Sequence, residues 1–125
     1  GTEGSAEAQA LFDELGRAAG RPWVMLSAGA GMAQFRNVLH YAYAAGASGY
    51  LAGRAIWLEA FQRFPDWAAI EAGLREQAVP YMRELNALTD AAATPWHRHP
   101  CYGEAGPCVL PADATFRHVY PGFGA

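Results

Sequence analysis

Apolar residues recur at helical spacing along most of the first 92 positions and close up into short continuous runs at two places. In residues 5–19, Ala8, Leu11, Phe12 and Leu15 share one side and Glu7, Asp13 and Glu14 the other. This predicts an amphipathic helix that starts near Ser5 and stops at Gly20. Trp23 to Leu26 is apolar without alternation, between Pro22 and Ser27-Ala28-Gly29. Such a run predicts a strand covered on both faces, the kind found in parallel sheets. Residues 32–45 put Phe35, Val38, Leu39, Tyr41 and Ala42 together and end at Gly46, a second helix with a glycine stop. Gly49 to Ala52 predicts a second short strand, and Ala55 to Arg63 a further helix. A long helical pattern follows over 66–92, marked by Trp67, Ile70, Leu74, Val79, Met82, Leu85 and Leu88. Asp66 is placed to cap it, and Pro80 to kink or divide it.

The alternation of helix and strand predicts an α/β protein with parallel strands. From Thr94 the chain turns proline-rich and loses any period. The division expected is a βα region over 1–93 and an irregular tail over 94–125, packed on the first or on a neighbouring subunit. Two parallel strands leave both outer edges unpaired and cannot cover faces that are apolar on both sides. The sheet is therefore expected to continue into strands outside these residues, or to be completed by a second copy.

The 125 residues are 52% hydrophobic with a net charge of -3, enough apolar content for a core and too little charge for a disordered chain. No apolar run is long enough to span a bilayer, and no secretory pattern is visible at the start, so a cytoplasmic setting without a membrane partner is expected. A slight acidic balance argues against nucleic acid as a partner. All nine basic residues are arginine, and lysine is absent.

Candidate chemistry sits at the carboxyl ends of the two predicted strands. Ser27-Ala28-Gly29-Ala30-Gly31 follows the first and Gly53-Arg54 the second, each leading into a helix. Unpaired N–H groups at a helix N-terminus attract anions, glycine allows close approach, and a guanidinium presents a fork suited to phosphate or sulfonate oxygens. Ser27, Ala28, Gly29, Gly53 and Arg54 thus read as an anion site. The plainer alternative is that the glycines only make tight turns and that Arg54 serves a structural ion pair. In (β/α)8 barrels the loops after the seventh and eighth strands frequently hold phosphate.

The stretch from Pro22 to Trp57, PWVMLSAGAGMAQFRNVLHYAYAAGASGYLAGRAIW, resembles the last two strands of the class I aldolase family that includes tagatose 1,6-bisphosphate aldolase and sulfofructosephosphate aldolase. In that family an LSAG turn and a helix are followed by an AGASGxLAGRAxW strand and turn. The resemblance implies the C-terminal portion of a (β/α)8 TIM barrel that cleaves a phosphorylated ketose to dihydroxyacetone phosphate and an aldehyde. A lysine Schiff base would act as electron sink, so neither metal nor other cofactor is expected. The family's lysine lies on an earlier strand, which makes this chain alone inactive and its remaining partner the rest of the barrel. The five named residues would hold the phosphate, or the sulfonate of a sulfosugar phosphate, and a homo-oligomer is expected. Two alternatives stay open: a non-catalytic module that binds phosphorylated metabolites or serves assembly, and another phosphate-binding barrel such as a flavin enzyme.

Other groups are weaker candidates. His97, His99, Cys101 and Cys108 offer four zinc-compatible side chains, but their spacing matches no strong zinc motif. Without a secretion signal the two cysteines are expected reduced. His40 and the Asp13-Glu14 pair read as helix surface. Trp57, Phe61, Phe64 and Trp67 read as core or subunit contact, and Trp96, Tyr102, Phe116, Tyr120 and Phe123 as anchors for the tail.

Overall fold

A computed structural model describes residues 5–108, so the expectations for Phe116, Tyr120 and Phe123 lie outside the described residues. Helix α1 (Ala6–Ala19) opens with the Ser5 hydroxyl accepting the Ala8 N–H at 3.1 Å and closes at Gly20, whose φ is 58°. Strand β1 (Val24–Leu26), helix α2 (Met32–Ala44) and strand β2 (Gly49–Leu51) form one βαβ unit, followed by α3 (Arg54–Phe61). The strands pair in parallel, Val24 opposite Gly49, Met25 opposite Tyr50 and Leu26 opposite Leu51.

Helix α4 (Trp67–Gly73) is capped by the Asp66 carboxylate, which accepts the Ala69 N–H at 2.9 Å. It passes through a π-helical turn (Leu74–Ala78) into α5 (Val79–Ala92). Pro80 therefore does not break the chain, which stays helical from Trp67 to Ala92. Proline has no N–H to donate, and its ring crowds the carbonyl four residues back. A wider turn placed directly before it lets the backbone advance past that carbonyl. After α5 the chain makes two 3-10 turns (Trp96–Arg98 and Pro100–Tyr102), pinned by the Thr94 N–H donating to the Ala47 carbonyl at 3.0 Å. Among the described residues no helix is long and apolar enough to cross a membrane.

The core lies between α2, α5 and one face of the strand pair: Phe35, Leu39, Ala42, Tyr43, Ala47, Ala55, Tyr81 and Leu85, with Met25 and Tyr50 packed on it. The other face is bare. Val24, Leu26 and Leu51 are 47%, 53% and 61% exposed, so the strands are covered on one face and not on both, as their unbroken apolar run predicted. Side chains alternate across a strand, and only the positions facing α2 and α5 find partners here. Trp57, Phe61, Phe64 and Trp67 also depart from a core reading. They form two edge-to-face pairs, with ring centroids 5.4 and 5.8 Å apart, on a largely exposed surface.

Three tyrosines fasten α5 to the βαβ unit. Tyr81 donates to the Met32 carbonyl at 2.8 Å and Tyr50 to Asn86 Oδ1 at 2.7 Å. The Thr89 hydroxyl donates to the Leu85 carbonyl, so Tyr43, 2.7 Å from Thr89 Oγ1, is the donor of that pair. Arg36 of α2 pairs with Glu84 of α5, and this hydrogen bond holds its guanidinium pKa above the ordinary value. Close approach also fixes α1 against α2: a Cβ at Gly16 would stand 2.6 Å from the Ala45 carbonyl oxygen.

Two outcomes are expected. Gly16→Ala destabilises the fold in thermal melts, because overpacking against a backbone oxygen costs about 1 to 3 kcal/mol, more than the ~1 kcal/mol alanine gains in a helix. Burial raises the pKa of Tyr43, Tyr50 and Tyr81 above the ordinary 10.0. A raised folded-state value means stability present in full below the unfolded value and lost as pH rises through the folded one. Spectrophotometric titration then shows a late-ionising tyrosine class, reduced by one in Tyr81→Phe, with alkaline unfolding setting in above pH 10.0.

Candidate functional site

The strand register brings the two corners to the same level. The Ser27 N–H donates to the Leu51 carbonyl at 3.1 Å, which continues the parallel ladder one step beyond Leu26. Ser27 is 8% exposed, and besides the core tyrosines it is the buried polar residue among those described. Its carbonyl accepts the Ala30 N–H at 2.8 Å and closes the turn. Inside that turn Ala28 has φ 50° and Gly29 φ 85°. A left-handed alanine costs about 1 kcal/mol or more, strain of the kind that gathers at functional sites.

Across this turn lies the side chain of Arg54, the first residue of α3. A Cβ built on Gly29 would be 3.4 Å from Arg54 Nη2 and 3.7 Å from Cζ, so the guanidinium rests directly over the glycine. A Cβ at 29 would touch the guanidinium, and the φ of 85° there is one that a side chain rarely adopts. Arg54 is exposed and its guanidinium forms no ion pair or side-chain hydrogen bond among the described residues. The structural ion pair considered from the sequence is absent from these residues.

The helix starts differ by location. Away from the corners, α1 and α4 are capped by Ser5 and Asp66. At the corners, α2 begins after Gly31 and α3 after Gly53, with no side-chain cap at either. Two sets of leading N–H groups are thereby left for an outside acceptor, at the positive ends of two helices. A cavity of about 300 Å³ opens between them, lined by Gly29, Gly31, Arg54, Leu58, Glu59 and Gln62 among others.

Gly29 and Arg54 thus line one cavity, with Ser27, Ala28 and Gly53 in the turns that shape it. Sequence reasoning missed Glu59 and Gln62. Arg54, Leu58 and Gln62 are spaced by four, which places them on one helical stripe and was the available signal. Glu59 adds a carboxylate to the cavity lining, an acceptor where Arg54 is a donor. In the described part of the tail, Cys101 and Cys108 are free thiols, His99 Nδ1 accepts the Cys101 N–H at 3.1 Å, and no group of three metal-ligating side chains forms. His40 is an exposed residue of α2.

Comparison with known proteins connects these corners to a family. Residues 2–59 match the model of the DeoC/LacD family aldolases. The chain is 33% identical over 94 residues to tagatose 1,6-diphosphate aldolase 2 of Streptococcus mutans, covering 72% of this chain and 29% of that protein. It is 35% identical over 95 residues to tagatose 1,6-diphosphate aldolase 1 of Streptococcus pyogenes serotype M1, covering 73% and 29%. Against the tagatose 1,6-diphosphate aldolase of Streptococcus pneumoniae it is 36% identical over 95 residues, covering 72% and 29%. The chain matches less than a third of the length of these curated relatives.

Gly31→Ser provides a direct check on the bare helix starts. Its Cβ meets nothing within 4 Å, and the backbone there suits a capping serine. The substitution is expected to raise stability by about 0.5 kcal/mol, while its hydroxyl takes up an N–H of α2 and weakens inorganic phosphate binding. Thermal melts and phosphate titration of the same variant measure the two effects.

Proposed function

This chain belongs to the class I aldolase family, of whose members it carries a C-terminal part, and we propose that its two corners hold the anionic end of a phosphorylated ketose during aldol cleavage. The observation that carries the reading is the Arg54 guanidinium over Gly29, between two helix starts that no side chain caps. An oxyanion there receives a bidentate charge-assisted contact together with backbone N–H groups.

The surrounding protein in this proposal is a (β/α)8 barrel. The bare sheet face formed by Val24, Leu26 and Leu51 supports it, because these side chains would fill a barrel interior. The parallel βαβ unit and the open strand edges support it too. Anchoring the phosphate at the carboxyl ends of the strands orients the ketone for the reacting amine.

The cleavage proceeds through a lysine supplied from outside these residues, since this chain contains none. The amine adds to the ketone and water leaves, giving an iminium. The electron pair of the breaking carbon–carbon bond moves into it, and a base takes the proton of the hydroxyl that becomes the aldehyde. Reprotonation and hydrolysis then release dihydroxyacetone phosphate. By itself the chain would bind but not cleave, and if the gene product ended here a non-catalytic phosphometabolite-binding module would be the second reading. The proposed substrate class extends to sulfosugar phosphates, because a guanidinium fork meets sulfonate and phosphate oxygens in the same geometry.

In the full-length protein, Arg54→Ala is expected to weaken binding of a phosphorylated ketose by about 1.5 to 3 kcal/mol, the scale of a charge-assisted contact. Borohydride treatment with dihydroxyacetone phosphate should mark a lysine outside residues 1–125, with less label at a given concentration in the variant. Unchanged affinity removes the role given to Arg54, and an unlabelled protein removes the Schiff base.

A further inference from the structure

A second cavity lies at the opposite, amino end of the strands and takes no part in the site above. Its volume is about 520 Å³, within the roughly 300 to 1,000 Å³ of small-molecule sites. Three separate stretches of chain converge on it: the last two turns of α1 with the approach to β1, the α2–β2 connection, and the segment after α5. We propose that this cavity binds a small phosphorylated compound through Arg17, Arg98 and His99.

The charges favour an anion. Arg17 and Arg98 line the cavity from different stretches, and neither guanidinium forms an ion pair or a side-chain hydrogen bond among the described residues. The opposing carboxylate is Asp13, and Gln9 Nε2 already donates to its Oδ1 at 2.9 Å. His99 accepts the Cys101 N–H at Nδ1, which places the proton of the neutral ring on Nε2 as a further donor. Both α1 and α2 end here, and exposed terminal carbonyls would repel an anion. At the α2 end most are occupied, Tyr41 O accepting from Ala45, Ala42 O from Ala47 and Tyr43 O from Gly46, while at the α1 end Gly16 O accepts from Gly20 and the two arginines supply the positive charge that outweighs the remaining carbonyls.

The shape is built by long-range contacts. The Thr94 N–H donates to Ala47 O at 3.0 Å and the Ser48 N–H to Trp23 O at 2.8 Å, which draws the tail and the approach to β1 onto the α2–β2 connection. The Trp23 indole supplies an apolar wall, and its Nε1 lies 3.7 Å from a Cβ built on Gly16. Two guanidinium groups, one imidazole donor and an indole wall suit a phosphate or diphosphate group carried on a compact organic body.

The test is calorimetric titration of the full-length Arg54→Ala protein with inorganic pyrophosphate at low ionic strength, which weakens the corner site so that the far cavity dominates the measurement. Binding is expected to persist, and to weaken about tenfold or more when either Arg17→Ala or Arg98→Ala is added. Arg75→Ala, which touches a surface pair with Glu71 on the α4–π segment, is the control and should change nothing. Both cavity arginines are exposed, so circular dichroism should remain that of the parent. No binding to the Arg54→Ala parent, unchanged affinity in both cavity variants, or an equal loss in Arg75→Ala overturns the proposal. Because the corner is already weakened, failure of the aldolase reading and failure of this one are separable.

Discussion

The parallel pairing of two three-residue strands is the constraint on which the candidate site depends. Pairing Leu26 with Leu51, and extending the ladder through the Ser27 N–H to Leu51 O, sets the ends of both strands side by side. The turn with Ala28 and Gly29 then comes to lie beneath the first residue of α3. A slip of one residue would turn Met25 and Tyr50 away from the core and carry Arg54 off Gly29. The buried face of the pair therefore holds the register, and the register holds the site.

Such short strands need a brace, and α5 supplies it. The hydroxyls of Tyr43, Tyr50 and Tyr81 reach Thr89, Asn86 and the Met32 carbonyl, so polar contacts tie α5 to α2 and β2 while the tyrosine rings pack on or within the core. One face of the sheet is closed by this arrangement and the other is left apolar and open. The same contrast appears in the caps. Helices α1 and α4 satisfy a leading N–H with Ser5 and Asp66, whereas α2 and α3 begin at glycines. Groups that stability alone would have capped stay available where an anion is expected.

Much of the secondary structure was legible because its signals are local. Ser5 and Gly20 bound α1, Asp66 caps α4, and the two apolar runs became the two strands, each within one residue of expectation. Pro80 was expected to kink or divide the long helical pattern, and α4 and α5 are separated by the π-helical turn that ends just before it, although the sequence did not show that the division would take this form. The aromatic residues from Trp57 to Trp67 fit a helical period, yet period alone does not say whether another element lies opposite them. Nor could a continuous apolar run reveal that only one of its faces would be covered among the described residues.

At the site, the sequence by itself determined the parts: glycine turns after both strands, an arginine at the head of α3, and a basic complement that is all arginine. These are properties of residue type and near neighbours. Tertiary structure alone decided that the guanidinium rests over Gly29, that Glu59 and Gln62 share its cavity, and that Arg17, Arg98 and His99 meet at the far end of the strands. Each of those facts joins residues distant in sequence or picks one face of a helix, and only strand register and helix packing fix such distances.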